Sequence, residues 1–366
     1  MTGTTTDPAS AETRRDELAG RLMGAALAAL DLQAVYLGDR LGLYRALADG
    51  GPATARELGE RAGIDRRYAR EWLEHQAVGG ILVVDDVGAD ADERRYSLPD
   101  GHADVLIEPD SPWLVAPVSR FVVGTASTMP ALLDAYRTGK GVDWAEYGPD
   151  VIEAQEALNR PQFANYVGDW ISALPDIAER LAAGEGRVAD VACGTGWSSI
   201  SIARAFPRIH VDGIDIDAGS IERASTHAER EGVSDRVSFL FADAADAEGT
   251  GRYDLVTIFE AVHDMAQPAQ VLATARGLLK PGGAVLIADE RVAETFTAPG
   301  DETERLFYGY SVVACLANGL ADQPSVGTGT VLRPAALEAI AREAGFSGFT
   351  ILPVEHDSFR FYRLDP

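Results

Sequence analysis

From about residue 186 onward, short apolar runs of strand character alternate with helical segments. The apparent strands are RVADVAC, HVDGIDI, VSFLFAD, YDLVTIFEA and AVLIADE. Alternation of this kind implies a parallel sheet with helices on both faces. The chain ends differently: GFTILPVEH and SFRFYRL are joined by a short polar turn, which predicts an antiparallel hairpin. The expected fold class is therefore α/β, a seven-stranded sheet that is parallel except for its terminal hairpin.

The segment before it reads as mostly helical. LMGAALAALDLQAVYLGDRLGLYRAL carries apolar residues at helical spacing. In TARELGERAGIDRRYAREWLEHQAVGGIL, Thr54 with Glu57 fits a capping box, Gly63 ends that helix and Asp65 caps the next. ILVVDD and RRYSLP flank an Asp-rich loop and read as the two strands of a wing. The predicted organisation is a tail over 1–20, a winged-helix domain over 21–100, bridging helices and a pocket lid over 101–185, and the sheet domain over 186–366.

No stretch approaches about 20 unbroken apolar residues, so no membrane span is expected. The N-terminus lacks the apolar core of a secretory signal. Two cysteines, Cys193 and Cys315, cannot make a disulfide framework, and a reducing cytoplasm is the simplest expectation. A net charge of −25 repels phosphate backbones and anionic lipid.

The first strand runs into Gly194-Thr195-Gly196, where glycines let the backbone turn sharply and approach a ligand. A plain turn or a dinucleotide site would also explain G-x-G. Three carboxylates favour another ligand. Asp190, in the first strand, suits an ammonium group better than a pyrophosphate. Asp215 ends the second strand, where an acid can bind ribose hydroxyls, and Asp243 follows the third, where it can accept from an adenine amino group. The C-terminal ends of parallel strands are also where such sheets bind ligands.

Residues 186–290, with LLKPGG before the fifth strand, resemble the class I S-adenosylmethionine (SAM)-dependent methyltransferases and their Rossmann-like sheet. The resemblance implies SAM as cofactor, with S-adenosylhomocysteine as product. It implies contacts from Asp190, Cys193, Gly194, Thr195 and Gly196 at the methionine portion. Asp215 and Ile216 would meet ribose and adenine, Asp243 and Ala244 the adenine, and Phe259 and Glu260 the region of the methyl group.

The whole chain resembles the winged-helix small-molecule O-methyltransferases, and WAEYG, NRPQF, FEAVHDM, DERV and FRFYRL resemble a bacterial group among them. This implies His263 as general base, Asp289 as the acid that orients it, and a homodimer formed through the N-terminal domain. A second orienting acid, which the family carries just before the last helix, is replaced by Leu332-Arg333-Pro334. Without the resemblance, His263-Asp264 could simply start and cap a helix.

Tyr147 and Phe163 are the expected pocket aromatics, with Asp264 beside them, although spaced aromatics on helices are usually core. Arg160, Arg305 and Arg333 could meet an acceptor carboxylate. No ligand spacing specific to a metal occurs, so no metal is expected. The expected reaction is methyl transfer to a hydroxyl of a small molecule, with C- or N-methylation as the alternative. A transcription regulator is the other alternative, through Arg66, Arg67 and Arg70. It lacks a basic face, because Glu71 and Glu74 lie among those arginines.

Overall fold

The computed structural model describes residues 10–184, 186–246 and 251–366. Residues up to Val123 and from Gly124 onward form two units. The boundary thus falls inside the segment expected to bridge.

In the first unit, helix α1 (Ala11–Arg40) starts ten residues inside the predicted tail, capped by the Ser10 hydroxyl. Helices α2 (Leu43–Gly50), α3 (Ala55–Ala62) and α4 (Arg66–Val78) follow. The capping box of Thr54 and Glu57 forms as expected, and Gly63 closes α3 at φ +67°. Asp65 caps α4. The wing is β1 (Val83–Val84) paired antiparallel with β2 (Tyr96–Ser97). Two short helices complete the unit, α5 (His102–Leu106) and the start of α6 (Val118–Ser127). Tyr44, Leu58, Leu73 and Tyr96 form its core. Arg66, Arg67 and Arg70 are paired with Asp92, Glu71 and Glu74, so none offers an unpaired cation to a phosphate.

By length and composition α1 could cross a membrane, which counting unbroken apolar residues passed over because Asp31 interrupts the run. Met23, Leu27, Leu30, Leu37 and Leu41 are each 45–71% exposed. With Ala34 they follow alternating steps of four and three residues, the 3.5-residue period of a helix seam.

The second unit carries α7 (Met129–Thr138), the long α8 (Gly148–Ser172) and α9 (Pro175–Ala183), then the alternating region. Its strands are β3 (Arg187–Val191), β4 (His210–Asp215), β5 (Val237–Phe241), β6 (Tyr253–Phe259), β7 (Leu279–Glu290), β8 (Gly348–Ile351) and β9 (Phe359–Asp365). They lie in the order β5-β4-β3-β6-β7-β9-β8. The first five are mutually parallel, and β9 runs antiparallel to β7 and β8, as the sequence predicted. Helices α10 (Trp197–Ala205), α11 (Ala218–Arg230), α12 (Pro268–Leu278) and α15 (Pro334–Glu343) connect the strands. Between β7 and α15, α13 (Glu302–Tyr310) passes through a π-helical turn, Ser311–Cys315, into α14 (Leu316–Gly319).

Two apolar clusters, one on each face, bury the sheet, so β3, β6 and β7 are apolar almost throughout. The exceptions are few: Asp254, at the start of β6, pairs with Lys280, and Asp190, Thr257, Asp289 and Glu290 are buried polar residues further along those three strands. The latter mark where the site lies.

Candidate active site

The glycine loop leaves β3 after Val191 and turns at Ala192 (φ +57°), Gly194 (+52°) and Gly196 (+84°). A side chain at Gly196 would meet Phe239 and Ala224 at 2.6–2.8 Å, so that glycine is required by packing as well as by φ. Around Gly194, by contrast, a Cβ would find no heavy atom within 4 Å, so the loop backbone is open there. Asp215 accepts from the Gly194 and Asp217 amides, both at 2.8 Å, which ties the end of β4 to the loop. Burial pushes its carboxyl up, and the amides oppose that shift. Ile216 is 60% exposed beside it, and Asp243 is exposed and accepts from the Ala245 amide. Ala244 is half-buried.

Asp190 behaves differently from the expectation of an ammonium contact. It is buried, and its two oxygens accept from Ser198 (2.5 Å), Ser199 (2.6 Å) and Thr257 (2.7 Å). Its carboxylate is consumed in fastening the start of α10 and strand β6 to β3. Cys193 is buried, and its thiol is pushed well up by burial and by Asp190 and Asp215, which argues against a nucleophile. Thr195 is buried, and its carbonyl accepts from the His227 ring. Phe163 packs on Trp170 and Phe259, with ring centroids 6.0 and 5.7 Å away, as part of the core.

The ends of β6 and β7 supply the chemistry. Glu260 follows β6 at φ +53°, its amide on the Ala288 carbonyl at 2.7 Å. Its side chain accepts from Gln155 and Asn159 of α8, and its Oε2 is buried without a partner. Burial pushes this carboxyl to about 7.

His263 sits in a single 3₁₀ turn, Val262–Asp264, and is 2% exposed. Its Nδ1 is 2.8 Å from Asp289 Oδ1 and 2.9 Å from Glu290 Oε2, and its Nε2 is 3.5 Å from Asp264 Oδ1. Burial disfavours the imidazolium, but Glu290, Asp264 and Asp289 outweigh it and hold the His263 pKa well above its ordinary value. Burial pushes Asp264 up as well. Tyr147 donates to the Ala314 carbonyl at 3.2 Å, and burial beside Cys315 and Asp264 raises its phenol. Cys315, from the π-helical turn, brings its thiol within 4.8 Å of the His263 ring and Asp264, and burial pushes that thiol to about 12. Such turns are frequent at functional sites.

Ligand-type atoms converge in two groups here, His263 with Asp264 and Cys315, and His263 with Asp289 and Glu290. At Nδ1 the 2.8 Å contact with Asp289 is a hydrogen bond, while Glu290 Oε2, at 2.9 Å, has no hydrogen-bond partner.

Glu290, Cys315, Gln155 and Asn159 were missed from the sequence. Glu290 lies in the quoted DERV, but neighbours on a strand normally face opposite sides, so pattern alone gave no reason to bring it to His263. Two of the three candidate acceptor arginines are occupied, while Arg305 of α13 is exposed. Arg160 lies 3.9 Å over the Trp197 ring, and Arg333 pairs with Glu304 at 2.6 Å.

Residues 183–322 match the family model of a methyltransferase domain, and residues 28–108 that of an Rv2258c-like winged helix-turn-helix domain. A ubiquinone biosynthesis O-methyltransferase of Ralstonia nicotianae is 30% identical over 190 residues, 52% of this chain and 72% of that protein. The chain belongs to the SAM-dependent methyltransferases. It spans 63% or less of several further curated relatives. Among solved structures, mitomycin 7-O-methyltransferase is 21% identical with TM-score 0.66, over 97% of this chain and 98% of that one. Human N-acetylserotonin methyltransferase, solved with SAM, is 18% identical with TM-score 0.64, over 100% and 99% of the two chains.

The methyltransferase site suits a cationic cofactor. Its loop backbone is open at Gly194, and Glu260 Oε2 and Asp264 Oδ1 are buried without a hydrogen-bond partner, Asp264 having only the His263 ring at 3.5 Å. Among the described residues, neither carboxylate is paired with a lysine or arginine. Buried carboxylates left unpaired are costly, and a sulfonium or ammonium group would offset that cost.

Proposed function

We propose that this methyltransferase acts on a hydroxyl oxygen of a small molecule, with His263 as general base. The carrying observation is the 2.8 Å contact from His263 Nδ1 to Asp289. Donating Nδ1–H to Asp289 fixes the ring and leaves Nε2 as the basic nitrogen. Gly194, Gly196, Asp215, Ile216, Asp243 and Ala244 would hold SAM along the ends of β3 to β5. Asp190 would act through the loop it fastens. When bound, the cofactor supplies an activated methyl group, whose bond to sulfur breaks as the bond to the acceptor oxygen forms. His263 Nε2 takes the hydroxyl proton. A positive charge bound nearby favours loss of the proton His263 otherwise retains, readying it as a base.

Asp264 stands 3.5 Å from His263 Nε2 and Tyr147 lies buried near Asp264 and Cys315, which supports an acceptor pocket on that side. No metal is invoked, since Nδ1 donates to Asp289. The exposed 3.5-residue seam of α1 supports a homodimer formed through the N-terminal unit.

The test uses a panel of phenols, hydroxy acids and keto acids with methyl-labelled SAM. On the best hydroxyl acceptor, His263→Ala should lower turnover at least about tenfold, as loss of a general base does, while calorimetric SAM affinity holds. Near-normal turnover would remove His263 from the role.

A further inference from the structure

His263 Nδ1 carries at most one proton, yet two carboxyl groups face it. Asp289 Oδ1 accepts from the ring at 2.8 Å and from the Glu290 amide at 3.0 Å. Glu290 Oε2 stands 2.9 Å from the same nitrogen. Once that ring proton is given to Asp289, Glu290 Oε2 has no donor, and Asp289 Oδ2 has none either. Both residues are buried, Asp289 1% and Glu290 3% exposed. Among the described residues, neither forms an ion pair with a lysine or arginine. Atoms of the two carboxyl groups and of the His263 ring lie within 4.8 Å of one another.

Two adjacent like charges away from water do not both ionise, so one of the two carboxyl groups holds a proton. We propose that Glu290 is a second positioning acid for His263, holding a proton that it shares with Asp289. It takes the place of the acid missing before α15, where Arg333 instead pairs with Glu304.

The other groups around the pair are Asp264 beside the ring, Glu260 at the end of β6, Tyr310 of α13, and Tyr362 and Arg360 of β9. None of them supplies a proton to Asp289 Oδ2 or Glu290 Oε2. The consequence is electrostatic. With one proton on the pair, the charge behind Nδ1 is −1, enough to orient the ring and stabilise the imidazolium. At −2, His263 would keep its proton and fail as a base. Burial, with Asp289 adding to it, holds the Glu290 carboxyl well above the usual range.

This inference rests on the general-base reading for its meaning, but its test needs no acceptor. Difference infrared spectra of full-length protein at pH 8.5, wild type against Glu290→Gln, should show a protonated carboxyl band lost in the variant. Glu260, near pH 7, is largely ionised by then. If the variant does not fold, carboxyl-¹³C glutamate in the wild type should move the band, and labelled aspartate should move it less. In ring-labelled histidine NMR, Glu290→Gln should shift the His263 pKa by less than about half a unit. Removing an ionised neighbour at this distance would lower it by about 1–3 units. Absence of the glutamate band, or a drop beyond one unit, overturns the proposal. Neither result bears on His263→Ala turnover, so the two readings fail separately.

Discussion

Asp190 offers the sharpest separation between a ligand contact and an internal fastening. In Asp190→Ala, three hydroxyls lose a charged acceptor at 2.5–2.7 Å. Hydrogen bonds to a charged group contribute about 1.5–3 kcal/mol each. Two effects offset much of that. Removing the carboxylate ends a desolvation penalty of several kcal/mol. The hydroxyls also have local alternatives, since Thr257 Oγ1 is already 3.4 Å from the Ala189 carbonyl and helical serines can turn to the preceding turn's carbonyls. The net loss is about 3 kcal/mol, which for a unit of this size lowers Tm by roughly 6–12 °C. Asp190→Asn is the informative partner. Its oxygen still accepts from both serines, and its amide can donate to Thr257. The expected result is a Tm within a few degrees of wild type and calorimetric SAM affinity within about threefold. If Asp190→Asn weakens SAM more than tenfold at unchanged Tm, the carboxylate acts on the ligand and the fastening account is refuted.

Asp215→Ala should weaken SAM at least about tenfold by calorimetry, since a buried site loses its hydrogen-bonding carboxylate; unchanged affinity would show that the ribose contact is misplaced. Glu260 is raised from 4.5 to about 7, so the folded protein binds a proton that the unfolded chain releases between those values. Its contribution to stability is therefore full below about pH 4.5 and falls as pH rises to about 7, by at most about 3 kcal/mol. Urea denaturation of Glu260→Gln should show a flatter dependence between pH 5 and 8, and an identical slope would contradict the burial assigned to it. Replacing Leu27 and Leu30 on α1 by glutamate should halve the mass seen by sedimentation equilibrium; an unchanged mass would place any self-association elsewhere.

Local pattern was enough for much of this protein. The alternation after residue 186 gave the parallel strands and the hairpin, because strand and helix periodicity are written in each segment alone. The caps at Thr54 and Asp65 and the positive-φ glycine at 63 were legible for the same reason. Acids at successive strand ends and the His263-Asp264 pair pointed to a candidate site, since a parallel sheet brings its C-terminal ends together whatever the details. Tertiary structure decided what each carboxylate does. Asp190 faces inward because Ser198, Ser199 and Thr257 arrive from two other elements. Glu290 reaches His263 because β7 ends beside the 3₁₀ turn that follows β6, and Gln155 and Asn159 meet Glu260 only because α8 lies over it. A side chain's protonation and partners depend on burial and on groups distant in sequence, which no single segment's pattern encodes.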